Sequence, residues 1–215
     1  AWAAFTPEAA RKVIYNAPVE TPESTRRLTD SGGYFNILSV GVLCERKGQI
    51  DLVEAFMRLA PSLRPQVRLT FLGRDFDGYA AGMSRALGPA FARQATFAGE
   101  TDDAGPAFRA ADLLVHTARV EAFPRVFLEA AANHVPIIAT KAGGGPERLT
   151  HNESALFYDA GDASELSRLI AGVIEDGGLR ASLAAKARAA LVDSWTYSDM
   201  IGAYDAVLRS ARMKP

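Results

Sequence analysis

The chain has 215 residues and a mass of 23.0 kDa, with 48% apolar and 23% charged residues and a mean hydropathy of zero. That is an ordinary globular composition, which excludes a disordered, collagen-like or low-complexity protein. The formal net charge of -1 argues against binding to a nucleic-acid backbone, and no apolar run approaches the roughly 18 residues of a membrane span.

In chain order, Ala17 to Gly33 is rich in Pro, Thr, Ser and Gly and reads as a linker. Residues 1–16, which carry neither an initiator Met nor a secretory signal pattern, are expected to be the tail of something that precedes the domain. Asn36 to Gly41 reads as a buried strand closed by glycine. Ile50, Val53, Phe56 and Leu59 then recur at helical spacing until Pro61. A second strand spans Val67 to Leu72, a helix Tyr79 to Phe91, and a short strand Ala95 to Ala98. A helix over Pro106–Ala111, a strand over Leu113–Val115 and a helix over Pro124–Asn133 follow. Pro136–Ala139 and Ala155–Tyr158 complete the strands, and three helices near 163–176, 178–192 and 197–212 close the chain. Strands that are apolar runs rather than alternations, separated by helices, predict an α/β Rossmann-like parallel sheet with helices on both faces.

Ligands of such sheets bind beyond the carboxyl ends of the strands. Three loops there carry chemistry. Glu45-Arg46-Lys47-Gly48 places two cations beside a glycine that lets backbone approach a phosphate. Glu121 to Glu129 sets one carboxylate on a loop and another about a turn inside a helix that Pro124 begins. That helix start offers free N–H groups to an anion. Ala142 to Glu147 places three glycines before Pro-Glu, as in a tight turn that approaches a ligand. Read alone, each loop also fits a solvated surface turn.

Other patterns carry less. Asp75-Phe76-Asp77 is an Asp-x-Asp sequence in a polar turn, and no metal site is expected. No Gly-x-Gly-x-x-Gly follows the first strand, which removes the main support for a nicotinamide dehydrogenase. His116 is expected to be a hydrogen-bonded core residue, while Trp195 and Tyr197 should pack the last helix. Cys44, the sole cysteine, permits no intrachain disulfide and suits a reducing, cytoplasmic compartment.

Taken together and in order, these motifs resemble the C-terminal, donor-binding domain of GT-B glycosyltransferases, in the large retaining group called family 4. The resemblance rests on Val40-Gly41 through Gly48, Phe97-Ala98-Gly99, Phe108 to Asp112, Glu121 through Glu129, Pro136 to Thr140 and Gly143 to Glu147. Asn152 to Phe157, Gly161-Asp162 and Ser194 to Tyr197 extend it to about residues 13–212. It implies that Arg46 and Lys47, with Gly48, hold the diphosphate of a UDP-sugar or GDP-sugar, with no other cofactor. It further implies that Glu121 is the catalytic-site carboxylate bonded to sugar hydroxyls and that Glu129 takes the ribose diol. Backbone at Phe123, Pro124 and Arg125 would line the sugar-phosphate site, and Phe97 to Glu100, with Gly99, would lie near the base. Residues 1–16 would then end a missing N-terminal acceptor domain, with Val13 to Asn16 as a junction strand, 17–33 as linker and 34–215 as the donor domain. Through that missing half the resemblance implies an acceptor glycan or glycolipid and a peripheral membrane contact. Three residues depart from the family's pattern: Val42 stands where arginine is usual, Ala122 where glycine is usual, and His134 where glycine ends the Glu129 helix. A non-catalytic nucleotide-sugar-binding or regulatory module and a sugar-nucleotide epimerase remain the alternatives.

Overall fold

The computed structural model describes residues 12–18 and 33–212, with side chains to residue 210. The expectations for residues 1–11 and 19–32 lie outside the described residues. Six parallel strands form one sheet in the order β3-β2-β1-β4-β5-β6. They are β1 (Phe35–Val40), β2 (Val67–Leu72), β3 (Ala95–Gly99), β4 (Leu113–His116), β5 (Ile137–Thr140) and β6 (Leu156–Tyr158). The helices are α1 (Ile50–Arg58), α2 (Tyr79–Leu87), α3 (Gly105–Ala110), α4 (Arg125–Ala132), α5 (Gly145–Arg148), α6 (Ala163–Glu175), α7 (Gly177–Arg188) and α8 (Tyr197–Arg212).

Successive side chains of a strand point to opposite faces, and here both faces are covered. Ile37, Leu69, Phe71, Leu113, Val115 and Ile138 meet Leu52, Val53 and Phe56 of α1, Met83 of α2 and Leu166 and Ile170 of α6. On the other face, Leu38, Leu72, Leu114, Ile137 and Phe157 meet Phe108 of α3 and Phe127, Leu128 and Ala131 of α4. Each fully buried Leu, Ile or Phe contributes about 1.5–3 kcal/mol, so these two layers hold the sheet without metal or disulfide. Strand order reverses between β1 and β4, where Ile37 pairs with Leu113 and Leu38 with Leu114. The connections leaving these two strands diverge to opposite sides of the sheet and open a crevice.

Most boundaries fall within two residues of those expected, and the exceptions have causes. α2 ends at Leu87 rather than Phe91 because Gly88 leaves the helical region at φ 70° and Pro89 follows. The helix expected over 178–192 is α7 followed by a wider π turn over 189–193. There the Ala190 carbonyl accepts from Arg148 at 2.8 Å and from Ser194 Oγ at 2.7 Å, which takes it out of the regular ladder. α4 stops as its sequence implies. His134 has φ 55°, while its N–H donates to the Ala131 carbonyl and the Val135 N–H to that of Ala130, the paired bonds of a Schellman cap.

Residues 12–18 lie in no strand, and side chains hold the segment. Tyr15 donates to Glu147, its ring meets Phe123 edge-on at 5.8 Å, and Trp195 Nε1 donates to its carbonyl at 3.1 Å. Tyr197 does not pack the last helix into the core. It begins an exposed apolar stripe on α8 that continues through Ile201, Tyr204 and Leu208. No helix among the described residues is long and apolar enough to cross a membrane.

Candidate functional site

The loop after β1 is built to hold its shape. Gly41, at φ 135°, turns the chain out of the strand, and its N–H donates to the Leu72 carbonyl at 2.8 Å. Residues Glu45–Lys47 make one 3-10 turn closed by Gly48 at φ 62°. Thr117 Oγ1 donates to the Lys47 carbonyl at 2.7 Å, and the Arg119 N–H donates to the Arg46 carbonyl at 2.9 Å. Beneath the turn, buried Asp51 receives both arms of the Arg119 guanidinium at 2.9 and 3.0 Å and the Gly161 N–H at 2.9 Å. The cation-bearing turn is therefore clamped to the loop after β4.

Gly48 has a different role from the one its sequence context suggests. Its N–H donates to the carbonyls of Cys44 and Glu45, and a Cβ on it would lie 2.7 Å from the Thr117 carbonyl oxygen. The glycine is needed for close packing of two loops, and its N–H stays within the turn.

Glu121 and Lys47, 74 residues apart, form an ion pair in which each side chain is under a fifth exposed. His116 Nε2 lies 3.6 Å from the same Glu121 oxygen, and the other oxygen accepts the Ala122 N–H at 3.1 Å. The imidazole of His116 and the ammonium of Lys47 together hold the Glu121 carboxyl down to about 2. Burial pushes the His116 imidazole below its ordinary value. His116 is buried at the end of β4, but Nε2 has no hydrogen-bond partner within reach among the described residues. It is thus a member of the site that sequence reasoning assigned to the core. Its only sequence signal was a lone polar residue closing an apolar strand.

The triple-glycine loop packs against this carboxylate's own backbone. A Cβ on Gly143, at φ 76°, would overlap the Glu121 carbonyl oxygen, and one on Gly144 would lie 2.9 Å from that of Ala122. The Gly144 N–H donates to the Ala122 carbonyl. These glycines therefore shape the Glu121 loop from behind. Ala122 is not among the residues with positive φ, so its methyl group strains nothing.

Pro124 is the residue that caps α4, with φ −71° and ψ 117°, one position before the first helical turn. No side chain caps that helix; the Phe127 N–H donates to the Pro124 carbonyl at 3.1 Å, and those of Arg125 and Val126 are left for a ligand or water. Phe123 packs edge-on to Phe127, and Phe127 to His116, so an aromatic ladder supports the loop; Arg125 is exposed. Glu129, half-buried in the second turn, is pushed up by desolvation against the opposing pull of Arg125. It has no hydrogen-bond or ion-pair partner among the described side chains. Of the segment expected near a base, Phe97 is partly buried and stacked on Phe71 of the core at 5.2 Å. Gly99, at φ 73°, and exposed Glu100 are left at the edge, where the Gly99 carbonyl accepts the Gly73 N–H at 2.7 Å.

A cleft of about 580 Å³ opens over the ends of β1 and β2, lined by Val42, Cys44, Glu45, Arg46, Arg74, Phe76, Asp77 and Tyr79. Among the described residues, no group of three His, Cys, Asp or Glu side chains is placed to hold a metal ion. In the Asp-x-Asp turn, Asp75 accepts the Ala80 N–H at 3.0 Å.

The site thus combines an ionised carboxylate, neighbouring cations, an open helix N-terminus and a second, unpaired carboxylate at a strand-order reversal. Known proteins share this fold and sequence pattern. A solved structure of Anabaena HepE in complex with UDP and glucose has the same fold, with a TM-score of 0.84 and 25% identity, covering 97% of this chain and 59% of that one. The lipopolysaccharide core biosynthesis glycosyltransferase LpsE of Rhizobium meliloti is 31% identical over 176 residues, 81% of this chain and 49% of that protein. A GDP-mannose-dependent monoacylated alpha-(1-6)-phosphatidylinositol monomannoside mannosyltransferase of Corynebacterium glutamicum is 31% identical over 167 residues, 74% of this chain and 42% of that protein. The chain spans about half the length of these curated relatives or less. Neither a non-enzymatic module nor an epimerase is favoured by these likenesses. The model of glycosyl transferases group 1 matches residues 21–190, and the chain belongs to that family.

Proposed function

We propose that the chain is the donor-binding half of a retaining, metal-independent glycosyltransferase that uses a nucleoside-diphosphate sugar. The observation that carries this reading is the Lys47–Glu121–His116 cluster, whose Glu121 lies on the loop that leads into the uncapped start of α4 at the crevice between β1 and β4. An ionised carboxylate accepts hydrogen bonds from sugar hydroxyls, and helix N–H groups with nearby cations stabilise the charge that grows on a leaving diphosphate. Glu129, unpaired and half-buried, suits a vicinal diol such as ribose. The names of the relatives are compatible with either a UDP-sugar or a GDP-sugar.

The acceptor, a glycan or glycolipid, would be supplied through an N-terminal half, with the enzyme in the cytoplasm and in peripheral contact with a membrane. The segment 12–18 and the apolar stripe of α8 are the surfaces against which that half would pack. Thermal unfolding in a panel of nucleoside diphosphates tests the reading. A ligand at about 100 times its Kd adds about 2.7 kcal/mol, which raises Tm by about 5–10 °C in a chain of this size. A flat response to every nucleoside diphosphate refutes it.

A further inference from the structure

The sequence pattern assigns a diphosphate to Arg46 and Lys47, yet in the structure both cations are already engaged. Lys47 is paired with Glu121, and that pair has no net charge. Arg46 donates Nη1 to the Val120 carbonyl at 3.2 Å. Arg119 is locked in both arms by Asp51, and exposed Arg125 is not among the residues that line the cleft over β1 and β2. Arg46 keeps its charge, since a carbonyl neutralises nothing, but a diphosphate carries at least two negative charges and calls for a second cation without an acidic partner.

Arg74 meets that need. It is exposed, and its guanidinium makes no hydrogen bond or ion pair among the described residues. It lines the 580 Å³ cleft together with Arg46 and Val42. Its backbone is pinned: its carbonyl accepts the Leu43 N–H at 2.8 Å, which ties the turn after β2 to the turn after β1. Gly73 before it has φ 147°, and a Cβ there would overlap the Gly41 carbonyl, so the two turns touch backbone to backbone. Small, apolar Val42 leaves the cleft open on that side. We infer that Arg74, beside Arg46, takes the donor's diphosphate, with its planar fork on two phosphate oxygens, while Lys47 chiefly holds Glu121 in place. This deepens the donor reading and rests on it. The carboxylate of Asp77, which lines the same cleft, opposes the anion and tempers the affinity.

Titration calorimetry with UDP, GDP, uridine and guanosine tests the assignment on the wild-type chain, Arg74→Ala and Arg74→Lys. Loss of a hydrogen bond to a charged group predicts that Arg74→Ala weakens the preferred diphosphate by about 10- to 100-fold. Uridine or guanosine should bind as before, and Arg74→Lys should recover part of the loss. The difference between wild type and Arg74→Ala should shrink as salt is raised, because screening acts on exposed charge pairs. Undiminished diphosphate binding by Arg74→Ala overturns the proposal, and so does an equal loss for nucleoside and diphosphate. If the wild-type chain binds neither diphosphate, the donor reading itself fails and takes this assignment with it.

Discussion

Glu121→Gln removes the charge of a carboxylate that the site holds ionised, and the cost can be worked from its surroundings. A carboxyl held at about 2 instead of its ordinary 4.5 corresponds to about 3.4 kcal/mol if the whole effect survives in solution. The crevice is open to solvent, which screens the Lys47–Glu121 pair, and about 1–2 kcal/mol is the reasonable expectation. Because the folded-state value lies below the unfolded one, this stabilisation is complete above about pH 4.5 and disappears as pH falls through about 2. Glu121→Gln, which has no proton to gain, should therefore be less stable than wild type at pH 7 by that amount. The gap should close between about pH 4.5 and 2. Urea unfolding of both proteins across pH 2–7, read as the difference between them, measures this without interference from the other carboxylates. A difference that stays constant over that range would falsify the electrostatic account of the pair and leave Glu121 a packing residue. The same substitution bears on function: Lys47 loses its counter-charge, so free nucleoside diphosphate should bind Glu121→Gln at least as tightly as wild type.

Three further outcomes follow from the geometry. Glu129→Gln should weaken free nucleoside diphosphate by about 10- to 100-fold in calorimetry, and a loss no larger than that of Glu121→Gln means the two carboxylates have been assigned to the wrong halves of the donor. Gly143→Ala would force a methyl group onto the Glu121 carbonyl oxygen and should cost at least about 2 kcal/mol in chemical denaturation; a neutral result would show that the Glu121 loop yields easily. His134→Gly should be neutral or stabilising by less than about 1 kcal/mol, whereas His134→Val should lose about 1–3 kcal/mol, since φ is 55° there; equal stability of the two variants contradicts a left-handed helix cap.

Much of this protein was legible along the chain because the signals are local. A strand buried on both faces announces itself as an apolar run, as in Val67–Leu72, and a helix as 3.6-residue spacing, as in Ile50, Val53 and Phe56. Asp162 accepts the Glu165 N–H at 2.9 Å and starts α6 where the sequence places a cap. The positive φ of His134 could be anticipated from its position after a helix, since few other conformations end α4 so abruptly. The carboxylates, the cations and the glycines were also visible as residues, and their order along the chain was enough to suggest the family.

What these residues do to one another was decided only by tertiary structure. Lys47 and Glu121 pair across 74 residues, and His116 joins them only because β4 lies beside β1 in the sheet. No periodicity or spacing records such a neighbour, since the contact depends on strand order and on where each turn leaves the sheet. The glycines of the two loops read as approaching a ligand meet protein carbonyls, at Thr117 for Gly48 and at Glu121 for Gly143. A sequence pattern reports that backbone must come close to something, but it carries no information on whether that partner is ligand or protein. Phe97 was drawn against the margin of the core by Phe71 on the adjacent strand. Arg74, unremarkable in sequence, gains its place because the Gly73 and Gly41 turns are in backbone contact. Charge neutralisation is a property of a surface assembled from distant segments, and the chain acquires it only on folding.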